Sequence, residues 1–276
     1  MNQTSLNRSF TTWSLLGFAA PSIIMMVFMS LYTIVDGIFI SRFVGSNALS
    51  SLNIVYPMIS VVIAIATMFA TGGNAIVSRY LGQGQEKQAR KALTEFVVIG
   101  VLISTVFAVL VILFENPICR FLGANDELMA DCKAYLTISM LFAPACTLQT
   151  LFQSYFVTAS RPGLGLWLTV AAGILNAVLD YVLIVPIPLG IAGAALATGF
   201  GQLLPAVVGL IFFAIPRKTL RFCRFSFRPR EIRDACINGS SEMIGQMATA
   251  ITTFLFNIIL MRLAGSDGVA AKTILF

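Results

Sequence analysis

Three acidic residues fall inside long apolar stretches of this 276-residue sequence. Asp36 lies within SLYTIVDGIFI, Asp180 within GILNAVLDYVLIVP and Glu242 within NGSSEMIGQM. A charged carboxylate at the centre of a membrane helix costs roughly 2.5–3.5 kcal/mol on insertion scales. Each of these acids is therefore a candidate functional residue, because such a cost is seldom retained without a role.

Amide, phenol and hydroxyl groups accompany two of these acids. Asn176 precedes Asp180 by four residues and Tyr32 precedes Asp36 by four, so each pair shares one helix face. Thr198 adds a hydroxyl from the stretch GAALATGFGQ. If Asp36 and Asp180 lie close together in a low dielectric, their two carboxylates do not both ionise readily. This predicts that a proton or a Na⁺ ion binds between them. Alternatively, Asn176 and Asp180 only join helices through interhelical hydrogen bonds.

The composition indicates that membrane helices position these residues. The chain is 58% hydrophobic and 11% charged, whereas soluble domains are roughly 45–50% apolar and about 25% charged. Several apolar runs reach the roughly 20 residues that cross a bilayer. The predicted spans run over residues 14–41, 48–75, 93–115, 134–158, 164–186, 190–215 and 236–263, and an eighth begins at the C-terminus.

The distribution of basic residues predicts the orientation of these spans. Most of the 18 Lys and Arg residues fall in the loops after the even-numbered spans, above all in the stretch 217–233. Short loops rich in Lys and Arg stay in the cytoplasm, so we expect a cytoplasmic N-terminus. The polar first residues carry no cleavage site, and the first span is expected to act as a signal-anchor. The basic stretch is interpreted as a linker on anionic headgroups rather than a nucleic-acid site.

An internal repeat predicts the domain organisation. Residues 40–56 align without gaps to residues 260–276, six spans later, so the second copy has parallel topology. Doubling the repeat predicts a protein of about 440 residues, of which this chain is the first half and a little more. The fold class is an all-α polytopic membrane protein. We expect a cytoplasmic N-terminus at 1–13, a six-helix lobe at 14–215, a basic linker at 216–235 and a truncated second lobe at 236–276.

Other motifs exclude several kinds of chemistry. The sequence contains no histidine, so imidazole-based metal sites and general bases are excluded. Cys119 and Cys132 fall near one predicted external loop, yet scattered cysteines favour free thiols. None of the Gly-rich stretches has the spacing of a phosphate-binding loop, so no ATP engine is encoded. An ion gradient must power any pumping, and no cofactor or catalytic set is expected.

Pro21 lies about ten residues into the first predicted span. Proline removes a backbone hydrogen bond and bends a helix. A helix that bends near Asp36 would suit ion-driven alternating access, whereas a static kink is the other interpretation.

These motifs together resemble the multidrug and toxic compound extrusion (MATE) family. The similar stretches are the first span with Pro21 and Asp36, FVGSNALSSLNIVYP, SRYLGQGQEKQARKAL, ASRPGLGLWLTVAAGILNAVLDYVLI and IAGAALATGFGQ. They cover the first of that family's two six-helix lobes and the start of the second. The departure from the family is the shorter chain.

The resemblance implies a site and a function. Asp36, Asn176, Asp180 and Thr198 match the polar cluster that binds a proton or cation, with Na⁺ as the metal candidate. The resemblance further assigns Pro21 to helix bending, Tyr32 to the neighbourhood of that cluster, and Glu242 to a role in the second lobe. It implies an inner-membrane antiporter that expels cationic, amphipathic drugs.

Other functions stay open on the residues alone. A flippase for lipid-linked oligosaccharides from a related superfamily would require a more cationic central cavity, and the embedded charges here are acidic. A seven-helix receptor does not need the repeat. A membrane enzyme would need a catalytic set, which the spans do not offer.

Overall fold

The computed structural model describes residues 39–216 and 220–275, together with positions 20, 23–24, 27–28 and 37, and its side chains through Leu263. Every regular element in this part of the chain is a helix. The helices α1 to α8 are Ser46–Gly82, Glu86–Leu113, Glu115–Phe121, Met129–Leu141, Ala143–Thr158, Pro162–Ile184, Ile191–Ala214 and Pro229–Leu275. The all-α membrane fold that the sequence predicts is confirmed.

Five of the described helices are long and apolar enough to cross a bilayer: α1, α2, α6, α7 and α8. The pair α4 and α5 passes the same test as one span bent by 51°. The predicted spans after the first coincide with these elements. Most of the first predicted span lies outside the described residues, although residues 39–43 are helical.

The second half of the chain differs in two boundaries from the sequence prediction. Helix α8 begins at Pro229, so the end of the predicted linker 216–235 is already helical. The backbone also stays helical through Gly265, Ser266 and Asp267, where the repeat predicts a loop before an eighth span. A continuous helix satisfies its backbone hydrogen bonds internally, and the sequence signal at this glycine is too weak to end it.

A proline separates α4 from α5. Pro144 occupies the first turn of α5, where its missing N–H is tolerated, whereas inside a helix its ring would press against the carbonyl group four residues earlier and favour a bend. The chain therefore bends at Phe142. The Phe142 ring packs onto Gly199 of α7, where an added Cβ would lie 2.2 Å from the ring.

Two apolar clusters fill the two ends of the bundle. One end of the bundle contains the connection from α1 to α2 and the connection from α7 to α8. We call it the basic end, and its apolar cluster is rich in aromatic residues. The Phe213 ring lies 5.4 Å from that of Phe152 and 5.6 Å from that of Phe156. The cluster at the opposite end is mainly aliphatic and includes Ile54 and Leu136. The polar side chains of α6 and α7 lie between these clusters.

Small residues bring α6 and α7 into backbone contact. Gly193, Ala197 and Gly201 are spaced four apart on one face of α7. A Cβ added at Gly193 would lie 2.7 Å from the carbonyl oxygen of Leu183, and one at Gly201 would lie 3.2 Å from Asn176 Cβ. This spacing of small residues is typical of closely packed membrane helices.

Glycines also set the crossing of α1 and α8. A Cβ at Gly72 would lie 1.9 Å from the Ala235 carbonyl oxygen, and one at Gly239 would lie 2.1 Å from that of Met68. Further along the same pair, Asn257 Nδ2 donates to the carbonyl oxygen of Asn53 at 2.6 Å. Helix α8 therefore lies along α1 over much of its length.

This crossing predicts opposite effects of two alanine substitutions in α8. Gly239→Ala should lower the free energy of unfolding by about 1–3 kcal/mol, because the new methyl overlaps the backbone of α1. Gly245→Ala, where nothing lies within 4 Å, should be neutral or stabilising by up to about 1 kcal/mol. Thermal unfolding of the purified protein in detergent measures both changes. Equal effects would contradict the observed crossing.

The cysteines of the described chain are free thiols, as the sequence favoured. Cys119 and Cys132 are both buried. Cys119 lies in the short helix α3, outside the spans, and burial raises the pKa of its thiol to about 11. At pH 8 only about one thiol in a thousand would then be ionised, and the thiolate is the reactive form.

We expect a large difference in maleimide labelling between Cys119 and Cys223, which is partly exposed at the basic end. In single-cysteine variants at pH 8, Cys119 should react at least about 100-fold more slowly, since it is both buried and protonated. Labelling in dodecyl sulfate provides the control, because unfolding should equalise the two rates. Similar rates in the folded protein would contradict the burial of Cys119.

Candidate functional site

The described structure contains part of the predicted site. Pro21, Tyr32 and Asp36 lie outside the described residues, and their roles stay predictions. Asn176, Asp180 and Thr198 are described and lie on the neighbouring helices α6 and α7.

The amide of Asn176 and the hydroxyl of Thr198 face each other across the α6–α7 contact. Asn176 Nδ2 donates to Thr198 Oγ1 at 3.4 Å. Asp180 lies one turn further along α6 on the same buried face, and both Asn176 and Asp180 are only 1% exposed. The glycine at position 201 allows this approach, since a side chain there would meet Asn176. The structure thus joins the groups that the sequence placed on separate spans.

The outer face of α6 explains why these polar groups point inward. Trp167, Ile174, Val178 and Tyr181 are all exposed, as expected for a face that contacts lipid. Turning the helix by half a turn would place Asp180 in hydrocarbon at a cost of several kcal/mol. The amphipathic pattern of α6 therefore fixes the acid inside the bundle.

Glu242 is not part of this cluster. It is exposed on α8, and it lines neither of the two cavities beside α7. The role in the second lobe that the resemblance implies for it stays a prediction.

A column of polar side chains continues along α6 toward the basic end. Thr169 lies seven residues before Asn176 on the same buried face. Its hydroxyl accepts a hydrogen bond from Gln153 Nε2 at 3.2 Å and donates to the Gly165 carbonyl oxygen at 3.0 Å. Thr169 and Gln153 were not among the predicted site residues, because they carry no charge, although the seven-residue spacing from Thr169 to Asn176 indicates a common helix face.

Two small cavities adjoin this polar column, and Gln202 of α7 lines both. One has a volume of about 40 Å³ and is also lined by Thr198, Ser139 and Tyr135. The other has a volume of about 60 Å³, and its polar lining includes Gln149 and Thr169 besides Gln202. A buried water needs at least about 10–15 Å³ and two to four polar partners. Both cavities meet these conditions, so each is large and polar enough to hold a water molecule beside the polar column.

A second set of buried charges lies at the basic end, where the sequence analysis predicted no site. We name it the Arg228 cluster, after the linker residue at its centre. Glu95 of α2 is 0% exposed, and its carboxylate accepts from Arg228 Nε at 3.2 Å and from the Arg228 backbone N–H. Arg228 also donates to Glu231 and, at 3.1 Å, to Gln88 Oε1. The Tyr80 hydroxyl donates to Glu231 Oε1 at 2.9 Å.

The Arg228 cluster ties the linker to three helices. Tyr80 belongs to α1, Gln88 and Glu95 to α2, and Glu231 to the first turn of α8. The neighbouring Cys223 N–H donates to Thr94 Oγ1 at 3.0 Å. The sequence feature that could have revealed the Arg228 cluster is Glu95, an acid inside the predicted span 93–115.

Removing the charge of Glu95 tests this cluster. Glu95→Gln should destabilise the protein by about 3 kcal/mol, because the largely buried Arg228 then loses one of its two carboxylate partners and keeps only Glu231. The matched change Glu86→Gln also faces an arginine, Arg90, at 2.9 Å, but in an exposed pair. That change should cost less than about 1 kcal/mol.

A dye that reacts with the buried cysteines on unfolding reports both melting temperatures. Equal melting temperatures for Glu95→Gln and Glu86→Gln would show that the buried pair contributes no more than the exposed one.

Comparisons with known proteins agree with this architecture. The sequence profile of the MatE family matches residues 21–182. The multidrug export protein MepA of Staphylococcus saprophyticus is 27% identical over 197 residues, which are 71% of this chain and 44% of MepA. The chain thus spans less than half the length of the curated relatives it matches.

Solved structures share the fold at low sequence identity. The MATE multidrug transporter DinF-BH superposes with a TM-score of 0.88 at 20% identity, covering 99% of this chain and 63% of that protein. An inward-facing multidrug resistance MATE family transporter of the MOP superfamily superposes with a TM-score of 0.83 at 19% identity. The superposition covers 91% of this chain and 59% of that protein.

Proposed function

The chain belongs to the MatE family, and on that premise we propose that it is the first part of an antiporter that exports organic cations in exchange for H⁺ or Na⁺. The observation that carries this proposal is the buried carboxylate of Asp180, one helical turn from the hydrogen-bonded pair Asn176 and Thr198, on a helix whose outer face is apolar. Relatives of this chain carry the name multidrug export protein.

The chemistry of the cluster suits a small cation. Carboxylate, amide and hydroxyl oxygens are the hard ligands that small hard cations such as Na⁺ prefer, and a buried carboxylate can take up a proton instead. A carboxylate surrounded by apolar helices gains much from a bound cation or proton, because no bulk solvent screens its charge. With Asp36 of the first span nearby, as the sequence predicts, the cluster would carry two such carboxylates.

Exchange follows from charge balance. A site with few negative charges cannot hold a coupling ion and an organic cation together without repulsion, so each would displace the other. We propose that Pro21 allows the first span to bend as the occupancy changes. The match to this chain covers 44% of MepA, and the rest of such a protein would supply a second lobe to enclose the substrate.

The alternatives fit less well. A flippase for lipid-linked oligosaccharides would need cationic groups in its central cavity, and the sequences of α6 and α7 contain no Lys or Arg. Membership of the MatE family does not support a receptor or a membrane enzyme. We place the protein in the cell membrane as a multi-pass protein with a cytoplasmic N-terminus, on the strength of the positive-inside pattern.

Ethidium efflux from a drug-sensitive strain tests the proposal, with the full-length protein that contains this chain. Asp180→Asn should reduce the efflux rate at least about tenfold, because the variant lacks the embedded carboxylate proposed to hold the coupling ion. The matched control Asp126→Asn removes an exposed carboxylate near the opposite end and should leave efflux unchanged. Wild-type efflux in Asp180→Asn at equal expression would refute the proposal.

The same variant separates ion binding from helix joining. Asparagine keeps hydrogen-bonding capacity at position 180, so a purely structural role predicts near-normal efflux and melting temperature. Ion binding instead predicts lost efflux with a melting temperature close to that of the wild type. Sodium-free buffer and a protonophore then distinguish the two coupling ions.

A further inference from the structure

A cationic pocket lies at the basic end, away from the polar column. Its volume is about 360 Å³, and Lys87, Arg90, Lys91 and Arg221 contribute to its lining. The remaining lining comes from the end of α7 and from linker residues 222 and 223. Four cations around one pocket at the ends of membrane helices indicate an anionic ligand at the level of the headgroups.

The local contacts leave the pocket with a net positive charge. Glu86, in the first turn of α2, pairs with Arg90 at 2.9 Å and offsets one of the four cations. The guanidinium of Arg221 donates to the carbonyl oxygen of Pro216, which fixes it at the pocket without neutralising it. Lys87 and Lys91 are exposed and one turn apart on α2.

Apolar surface continues from the pocket along two helices. Val98 and Leu102 of α2 are exposed and each lies eleven residues, about three turns, beyond Lys87 and Lys91. Eleven residues return to the same side of a helix, so cations and apolar residues share one face.

The end of α7 also carries exposed apolar residues that lead to the pocket. Val207, Ile211 and Ile215 are exposed at a spacing of four residues and lead to the pocket-lining residues Ala214 and Pro216. Two apolar faces thus reach the pocket from the membrane side.

Linker residues beside the pocket add exposed aromatic rings. Phe225 is exposed and Phe227 is 65% exposed, with the exposed cation Arg224 preceding them. Alternating basic and apolar side chains at a membrane surface bind anionic headgroups while the rings enter the interface.

We propose that this pocket binds the phosphate headgroup of an anionic lipid, with its acyl chains along the exposed faces of α2 and α7. The cations supply charge-assisted hydrogen bonds to the phosphate oxygens. A soluble phosphate would use the cations alone, whereas a lipid would use both the cations and the adjoining apolar faces, which already contact the bilayer. The occupant is therefore a lipid such as phosphatidylglycerol.

Native mass spectrometry of the purified full-length protein tests this site, with phosphatidylglycerol as the probe. Each basic side chain near an anionic surface contributes a factor of about five in affinity, so Lys87→Gln with Lys91→Gln should weaken binding about 25-fold. These lysines are exposed, so the double variant should fold normally. Lys87→Arg with Lys91→Arg should retain binding.

Three controls decide the outcome. Arg42→Gln with Arg120→Gln removes two exposed cations from the opposite end and should not alter phosphatidylglycerol binding at this site. Phosphatidylcholine should bind weakly, and millimolar glycerol phosphate should not displace the lipid. Equal loss in both double variants, equal binding of phosphatidylcholine, or displacement by glycerol phosphate would overturn the proposal.

Discussion

Hydrocarbon offers no hydrogen-bonding partners, and this constraint governs how α6 sits in the bundle. A carboxylate, an amide and a hydroxyl along one helix face must all turn inward, while the opposite face must be apolar. Asp180, Asn176 and Thr169 meet the first condition, and Trp167 and Ile174 meet the second. The orientation of α6 is thereby set by solvation, and the neighbouring helices have to accommodate the polar face.

Helix α7 accommodates that face through its small residues. Gly193, Ala197 and Gly201 let the two backbones approach, which brings the hydroxyl of Thr198 to the amide of Asn176. Larger side chains at these positions would separate the helices and leave the polar groups exposed to a void. A glycine also allows close packing on the other side of α7, where the ring of Phe142 packs onto Gly199. Packing and polar satisfaction are thus achieved by the same residues.

Much of this arrangement could be predicted because it follows from local patterns. The apolar runs predicted the helices, and the four-residue spacing of Asn176 and Asp180 predicted that these two residues share one helix face. The break between α4 and α5 was not predicted, since Pro144 lies within a run apolar enough to read as one continuous span. The ion pair of Glu95 with Arg228 joins residues 133 positions apart. Glu95 stands out as an acid inside a predicted span, but its partner is fixed by tertiary packing, which local patterns in the sequence do not predict.

The glycine crossing of α1 and α8 has a consequence for the geometry of the whole helix pair. Backbone contact at Gly72 and Gly239 leaves little freedom to slide, but it allows one helix to rotate against the other about that point. Asn257 lies 18 residues from Gly239, a lever arm of about 27 Å, so a rotation of about 10° would displace it by about 5 Å. That displacement exceeds the reach of its hydrogen bond to Asn53. The angle between the two helices is thereby restricted to a narrow range for as long as that bond persists.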